Sequence, residues 1–221
     1  MKKIDTMKGV IILFLSLVIL VGCGEGVIYG KWEAYIDGYY SYDDIELRVD
    51  NQMQISINPI GVEFLCDILG NGDQYLYSKY QTHYQDYYEQ RVFNDASKTK
   101  PWHFGYAVDY ESIEITCSRD WNEQLAAGES LAEITTLEFV SLYKFIGNDL
   151  KDGKMVYTMP LAEITVDDLK MLGHCSGGNI NSVATICFTA PPAEAGEYPI
   201  TVKMTTTDGQ VFEKSITLTV E

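Results

Sequence analysis

Histidine, positive charge and long apolar runs are all scarce in this chain. Its three histidines are His83, His103 and His174. No H-E-x-x-H helix, G-x-S-x-G elbow or phosphate-binding loop occurs, which removes the commonest hydrolase and nucleotide signatures. Lys and Arg number 16 against 32 Asp and Glu, a formal net charge of −16 over 221 residues. Such a surface disfavours nucleic acid and anionic headgroups as partners. It reads as a solvated acidic face, with calcium or a basic partner as the alternative. The main apolar run, Val10 to Val21, falls short of the roughly 20 residues that a membrane-spanning helix needs.

That short run has the layout of a leader. Lys2, Lys3 and Lys8 precede it, and a small residue and a cysteine follow, as in a secretory signal. Leu20-Val21-Gly22-Cys23 resembles the lipobox of bacterial lipoprotein precursors. The resemblance implies cleavage before Cys23 and a thioether-linked diacylglycerol on its sulfur, with a further acyl chain on the freed amine. One chain holds a protein to a bilayer only marginally, whereas two or more anchor it stably. Met7-Lys8 ahead of the same run would serve equally as a start. The expected organisation is a signal peptide at 1–22, a lipidated tether at 23–30 and one domain at 31–221. Loss of Lys2, Lys3, Lys8 and Asp5 takes the mature charge from −16 to −18. The expected location is the cell envelope, as an outer-membrane lipoprotein on its periplasmic or surface face.

The domain reads as strands. Asp44 to Val49 is a first strand; Met53, Ile55 and Ile57 then alternate with polar residues, as do Val62, Phe64, Cys66 and Ile68. Period two marks a half-buried sheet. Gly70-Asn71-Gly72-Asp73 is a turn. Further strands are expected at Glu111 to Cys117, Leu137 to Phe145 and Lys154 to Met159, with turn residues at Asn148-Asp149 and Asp152-Gly153, and a capping box at Ser130 to Glu133. The last quarter is clearest. Ala184, Ile186 and Phe188 alternate, then Tyr198, Ile200, Val202 and Met204, then Ile216, Leu218 and Val220, with Asp208-Gly209 as a hairpin turn between the final pair. Glu194-Ala195-Gly196-Glu197-Tyr198 resembles the tyrosine corner of immunoglobulin-like sandwiches. The fold class is therefore all-β, an immunoglobulin-like antiparallel β-sandwich carrying a short helical or loop insertion at about 75–104.

Within that insertion Tyr77, Tyr80, Tyr84, Tyr87 and Tyr88 fall at helical spacing. On a helix those rings share one face. They form either an aromatic platform for sugar rings or a protein partner, or a stripe packed on the sandwich with wet hydroxyls. Trp102, beside Pro101 in an expected loop, joins the candidate ligand surface.

Four cysteines follow Cys23, and an exported location permits disulfides. Strand parity turns Cys117 inward and Cys187 outward, which disfavours a bridge between them; Cys175 with Cys187 is the preferred pair, and free thiols are the alternative. Of the three histidines only His174 has a cysteine beside it, and neighbours on a strand point to opposite faces, so no metal site is expected. Acidic turns at Asn71-Gly72-Asp73 and Asn148-Asp149 lack the spacing of an EF-hand.

The chain resembles a family of uncharacterised lipoproteins of roughly 200 residues from gut anaerobes. The lipobox, Tyr42-Asp43-Asp44-Ile45-Glu46-Leu47, the run Ile113 to Leu131 with Ala127-Gly128-Glu129-Ser130-Leu131, and the C-terminal hairpin carry that resemblance. It implies a sandwich without an established activity. The expectation is a membrane-anchored binding module for a glycan or protein, without cofactor and not an enzyme; a structural component of the envelope is the alternative, and a glycan-processing enzyme ranks third.

Overall fold

A computed structural model describes residues 32–33, 36–51, 53–86, 88–89, 104–147, 156–173, 175–176, 179–180 and 182–221. The leader, Cys23, Tyr87, Trp102, His103, His174 and the turns at 148–153 lie outside the described residues. Two compact units emerge. In one, β1 (Trp32–Glu33) and β6 (Tyr88–Glu89) form an antiparallel pair. The other holds everything that follows.

Its strands are β2 (Gly38–Ser41), β3 (Asp44–Asn51), β4 (Gln54–Ile60), β5 (Glu63–Asp67), β7 (Phe104–Tyr106), β8 (Tyr110–Cys117), β9 (Thr135–Val140), β10 (Val156–Pro160), β11 (Cys175–Ser176), β12 (Asn179–Ile180), β13 (Ala184–Phe188), β14 (Gly196–Thr206) and β15 (Val211–Val220). Two helices, α1 (Gln74–His83) and α2 (Leu142–Gly147), interrupt them. No described helix is long and apolar enough to cross a membrane.

Two antiparallel sheets, ordered β10-β9-β13-β4-β3 and β15-β14-β8, enclose the core. Setting β10 aside, β3, β4, β13 and β9 stand in the A-B-E-D order of a constant-type immunoglobulin sandwich, and β8, β14 and β15 stand in its C-F-G order. The alternation in the sequence builds this core directly: Ile45, Ile55, Ile57, Leu137, Ile186, Ile200, Val202 and Leu218 are all fully buried. The third sheet, β12-β11-β7-β2-β5, includes one parallel pair, β2 with β7.

Trp121, just past β8, is fully buried. Its ring lies 4.8 Å from Phe188 and 5.5 Å from Tyr198, and its indole N–H donates to the Ala190 carbonyl at 3.2 Å. The Tyr198 hydroxyl donates to the Glu194 carbonyl four residues upstream at 2.8 Å, which is the tyrosine corner anticipated from the sequence. Gly128 and Leu131 amides reach the Cys117 and Ile115 carbonyls at 2.7 and 2.9 Å, so the loop after β8 covers that strand's free edge.

Several expectations are corrected. The strand expected over Leu137 to Phe145 ends at Val140, because the Ser141 hydroxyl accepts the Lys144 amide at 3.2 Å and starts α2. Leu142, Phe145 and Ile146 then bury one helical face. The Ser130 hydroxyl accepts the Ala132 amide rather than that of Glu133, opening a 3-10 turn at Ala132–Ile134 without the reciprocal glutamate bond. Phe64 is exposed beside buried Cys66, where the pairing of β5 with β2 shifts register between Tyr39 and Tyr40, and Ile68 is exposed because the strand ends at Asp67, whose side chain accepts the Leu69 and Asn71 amides at 2.9 Å each. Of the preferred Cys175–Cys187 pair, the Cys175 side chain lies outside what the structure describes; Cys66, Cys117 and Cys187 are free thiols in it.

A buried ion pair joins α2 to the next segment. Asp168 bonds the Lys144 ammonium and accepts the Thr165 amide and hydroxyl at 2.8 and 2.6 Å. Burial opposes its charge, but the hydrogen bonds from Lys144 and Thr165 win and hold the carboxyl below its ordinary value.

Two stability measurements check this account. In urea titrations Trp121→Ala is expected to cost about 3–5 kcal/mol, as large aromatic truncations do, and Tyr198→Phe about 1 kcal/mol for one hydrogen bond. Because the folded Asp168 carboxyl titrates below the unfolded one, its stabilisation is complete above the ordinary carboxylate range and lost as pH falls through the folded value. The stability gap between wild type and Asp168→Asn should therefore be constant from about pH 7 to 5 and shrink below about pH 4.

Candidate functional site

Helix α1 begins where the Asp73 side chain accepts the Tyr75 and Leu76 amides at 2.8 and 3.2 Å. It ends at His83, and Gln85 then takes a left-handed φ of 54°. Tyr77, Tyr80 and Tyr84 share a face as the spacing requires, but that face turns inward. Tyr39 of β2 receives all three, with ring centroids 5.7, 5.1 and 6.1 Å away. Tyr77 and Tyr84 are buried and so do not form a solvent-facing platform; Tyr80 is half-buried. The helix stops before Tyr87 and Tyr88, and Tyr88 begins β6 instead.

The buried phenols act as hydrogen-bond donors. Tyr77 donates to the Ile36 carbonyl at 2.9 Å, Tyr39 reaches the buried Asp86 carboxylate at 3.5 Å, and the Ile36 amide meets the same carboxylate at 3.1 Å. Burial, with Asp86 beside them, pushes both phenols up and keeps them protonated.

Asp109, in the link between β7 and β8, joins α1 to the sandwich. One carboxylate oxygen accepts the Tyr84 hydroxyl at 3.1 Å and the Met171 amide at 3.2 Å; the other meets His83 Nε2 at 2.7 Å. Its side chain is 8% exposed against 55% for His83. Its carbonyl accepts the Thr207 amide at 3.0 Å, which fixes the β14–β15 turn on the same residue. Burial and the neighbouring Asp109 drive the Tyr84 phenol well above its ordinary value, so it remains a donor. Met171 adopts a left-handed φ of 48° to present its amide there.

Between these elements lies a cleft of about 420 Å³, walled by Lys79, Tyr80 and His83 of α1, by Asp109, and by Thr207 and Asp208 of the turn. Its volume falls in the roughly 300–1,000 Å³ range of small-molecule sites. Within the turn the Thr206 hydroxyl bonds Asp208 and accepts the Gln210 amide at 2.8 Å, and hydrogen bonds from the Thr206 side chain and the Gln210 backbone hold the Asp208 carboxyl below its ordinary value. The side chains of Lys79, Tyr80, Thr207 and Gln210 have no hydrogen-bond partner among the described residues. Among the described residues, no group of three His, Cys, Asp or Glu is arranged to hold a metal ion.

Of the residues singled out in the sequence, the structure places Tyr80 and Tyr84 at this cleft. Asp109, Lys79 and the 206–210 turn carried no sequence signal beyond the hairpin dipeptide Asp208-Gly209. Asp109→Ala leaves the Tyr84 hydroxyl and the Met171 amide without an acceptor, at about 1–3 kcal/mol. Hydrogen exchange followed by mass spectrometry should show faster exchange over 74–86 in that variant, with β14 and β15 unchanged.

No protein-family model, no curated protein and no solved structure matches this chain.

Proposed function

We propose that this protein is a binding module displayed on the bacterial envelope, anchored through lipid on Cys23, with the cleft beside Tyr80 as its ligand site. One observation carries the reading. The cleft combines a half-buried aromatic ring with unpartnered polar groups on a helix and on a hairpin turn, both held by Asp109. A site built beforehand loses little conformational entropy when it captures a ligand. The order of the parts in the sequence supports the display: a leader, a lipobox-like cysteine, a short tether and then the sandwich. On this reading the kinship is with the uncharacterised envelope lipoproteins that the lipobox, the Ile113 to Leu131 run and the terminal hairpin resemble.

Three arms test it on the full chain: a glycan array, pull-downs from envelope extract, and a thermal-shift panel of sugars, amino acids and short peptides. A ligand that binds only the folded state raises the melting temperature by mass action. Tyr80→Ala should weaken any such ligand about 3- to 10-fold, the loss expected for one aromatic contact. Silence in all three arms, or a ligand indifferent to Tyr80→Ala, Thr207→Ala and Gln210→Ala together, sinks the proposal.

A further inference from the structure

The charges on the cleft walls discriminate among classes of small ligand, provided that the cleft is the ligand site as proposed above. Asp109 and His83 satisfy each other at 2.7 Å, and the remaining acceptor capacity of Asp109 goes to Tyr84 and Met171. Two wall charges have no oppositely charged partner among the described residues. One is the Lys79 ammonium on α1; the other is Asp208 on the turn, whose carboxylate bonds the Thr206 hydroxyl and backbone amides of its own turn but no described cation. They belong to different walls and have opposite signs.

Each simple ligand class leaves something unmet. A net anion would satisfy Lys79 but approach a protein of formal charge −16 against its long-range field. A cation would satisfy Asp208 and face Lys79. A neutral sugar would engage neither charge as an ion. A molecule bearing one charge of each sign is net neutral at a distance and forms charge-assisted hydrogen bonds on both walls, each roughly twice as strong as a neutral one. Thr207, Gln210 and Tyr80 supply neutral donors and acceptors for whatever joins the two ends.

We propose that the cleft takes a small zwitterion, an amino acid or short peptide with both ends free, its carboxylate on Lys79 and its ammonium on Asp208. Alanine, dialanine and trialanine carry the same two charges at increasing separation. Titration calorimetry of the full chain with this series should find at least one that binds. N-acetylation or C-amidation of that ligand should each weaken it about tenfold. Lys79→Gln should abolish the penalty of amidation and keep that of acetylation; Asp208→Asn should do the reverse. Lys79 sits at the surface without a partner among the described residues, so Lys79→Gln should keep the wild-type melting temperature; Asp208→Asn should lower it only slightly, since the asparagine oxygen can still accept the Thr206 hydroxyl. Equal binding of free and blocked peptides overturns the assignment. Binding of a neutral sugar with none of the alanine series overturns it too, while leaving the binding-module reading intact. Absence of binding by either class overturns the zwitterion assignment, and the binding-module reading then stands or falls on the three arms above.

Discussion

A carboxylate taken out of water must recover its lost hydration from donors, or its charge becomes too costly to keep. Asp109 meets that condition by drawing on segments far apart in the chain: His83 and Tyr84 lie 26 and 25 residues before it, and Met171 lies 62 after. The same residue's carbonyl holds Thr207. The helix, the 170–172 segment and the terminal hairpin turn are thus positioned by one group. Moving the helix or the 170–172 segment strips a donor from the nearly buried carboxylate, and moving the turn breaks its bond to the Asp109 carbonyl. Asp109 thereby ties both walls of the cleft to one residue, while the packing of the α1 tyrosines on Tyr39 fixes the helix from its other side.

The sandwich explains why these segments meet. In an antiparallel A-B-E-D and C-F-G arrangement, the B–C, D–E and F–G connections leave from one end. Here the B–C connection contains β5, α1 and β7, the D–E connection contains β11 and β12, and the F–G connection is the 206–210 turn. The chain ahead of the first sandwich strand adds β2 at the same end. Three of these excursions pair with one another as the third sheet. A sheet of loop-borne strands gives α1 something to pack on, and Tyr39 of β2 supplies the ring against which its tyrosines settle.

What the sequence discloses follows from how local each signal is. The last three strands were legible because period two needs only ten consecutive residues, and the tyrosine corner because Glu194 and Tyr198 are four apart. Tyrosine spacing allowed a helix at 74–83 without deciding it against a loop, and it could not give the direction of the stripe, since spacing defines a face without saying what lies opposite. The α2 segment was misread because Leu142, Phe145 and Ile146 follow a strand without a break, and only the Ser141 hydroxyl marks the change. Asp109 left no trace at all. Its partners are distant in sequence, and one acidic residue among 32 Asp and Glu has nothing to distinguish it.

The abundance of tyrosine, 16 residues, has a physical use at this end of the molecule. Phenylalanine would bury as well, but it would leave the Asp86 and Asp109 carboxylates and the Ile36 carbonyl short of donors. A phenol whose ionisation is suppressed by burial remains a donor, and Tyr39, Tyr77 and Tyr84 each serve one of these acceptors. The pattern assigns three tyrosines of the cluster to structure. It leaves Tyr80, on the same helical face and half-buried, as the one whose hydroxyl meets no acceptor among the described residues. Both Tyr80 and Tyr84 line the cleft, but Tyr84 is committed to Asp109, so the Tyr80 hydroxyl is the one that water or a ligand can meet there.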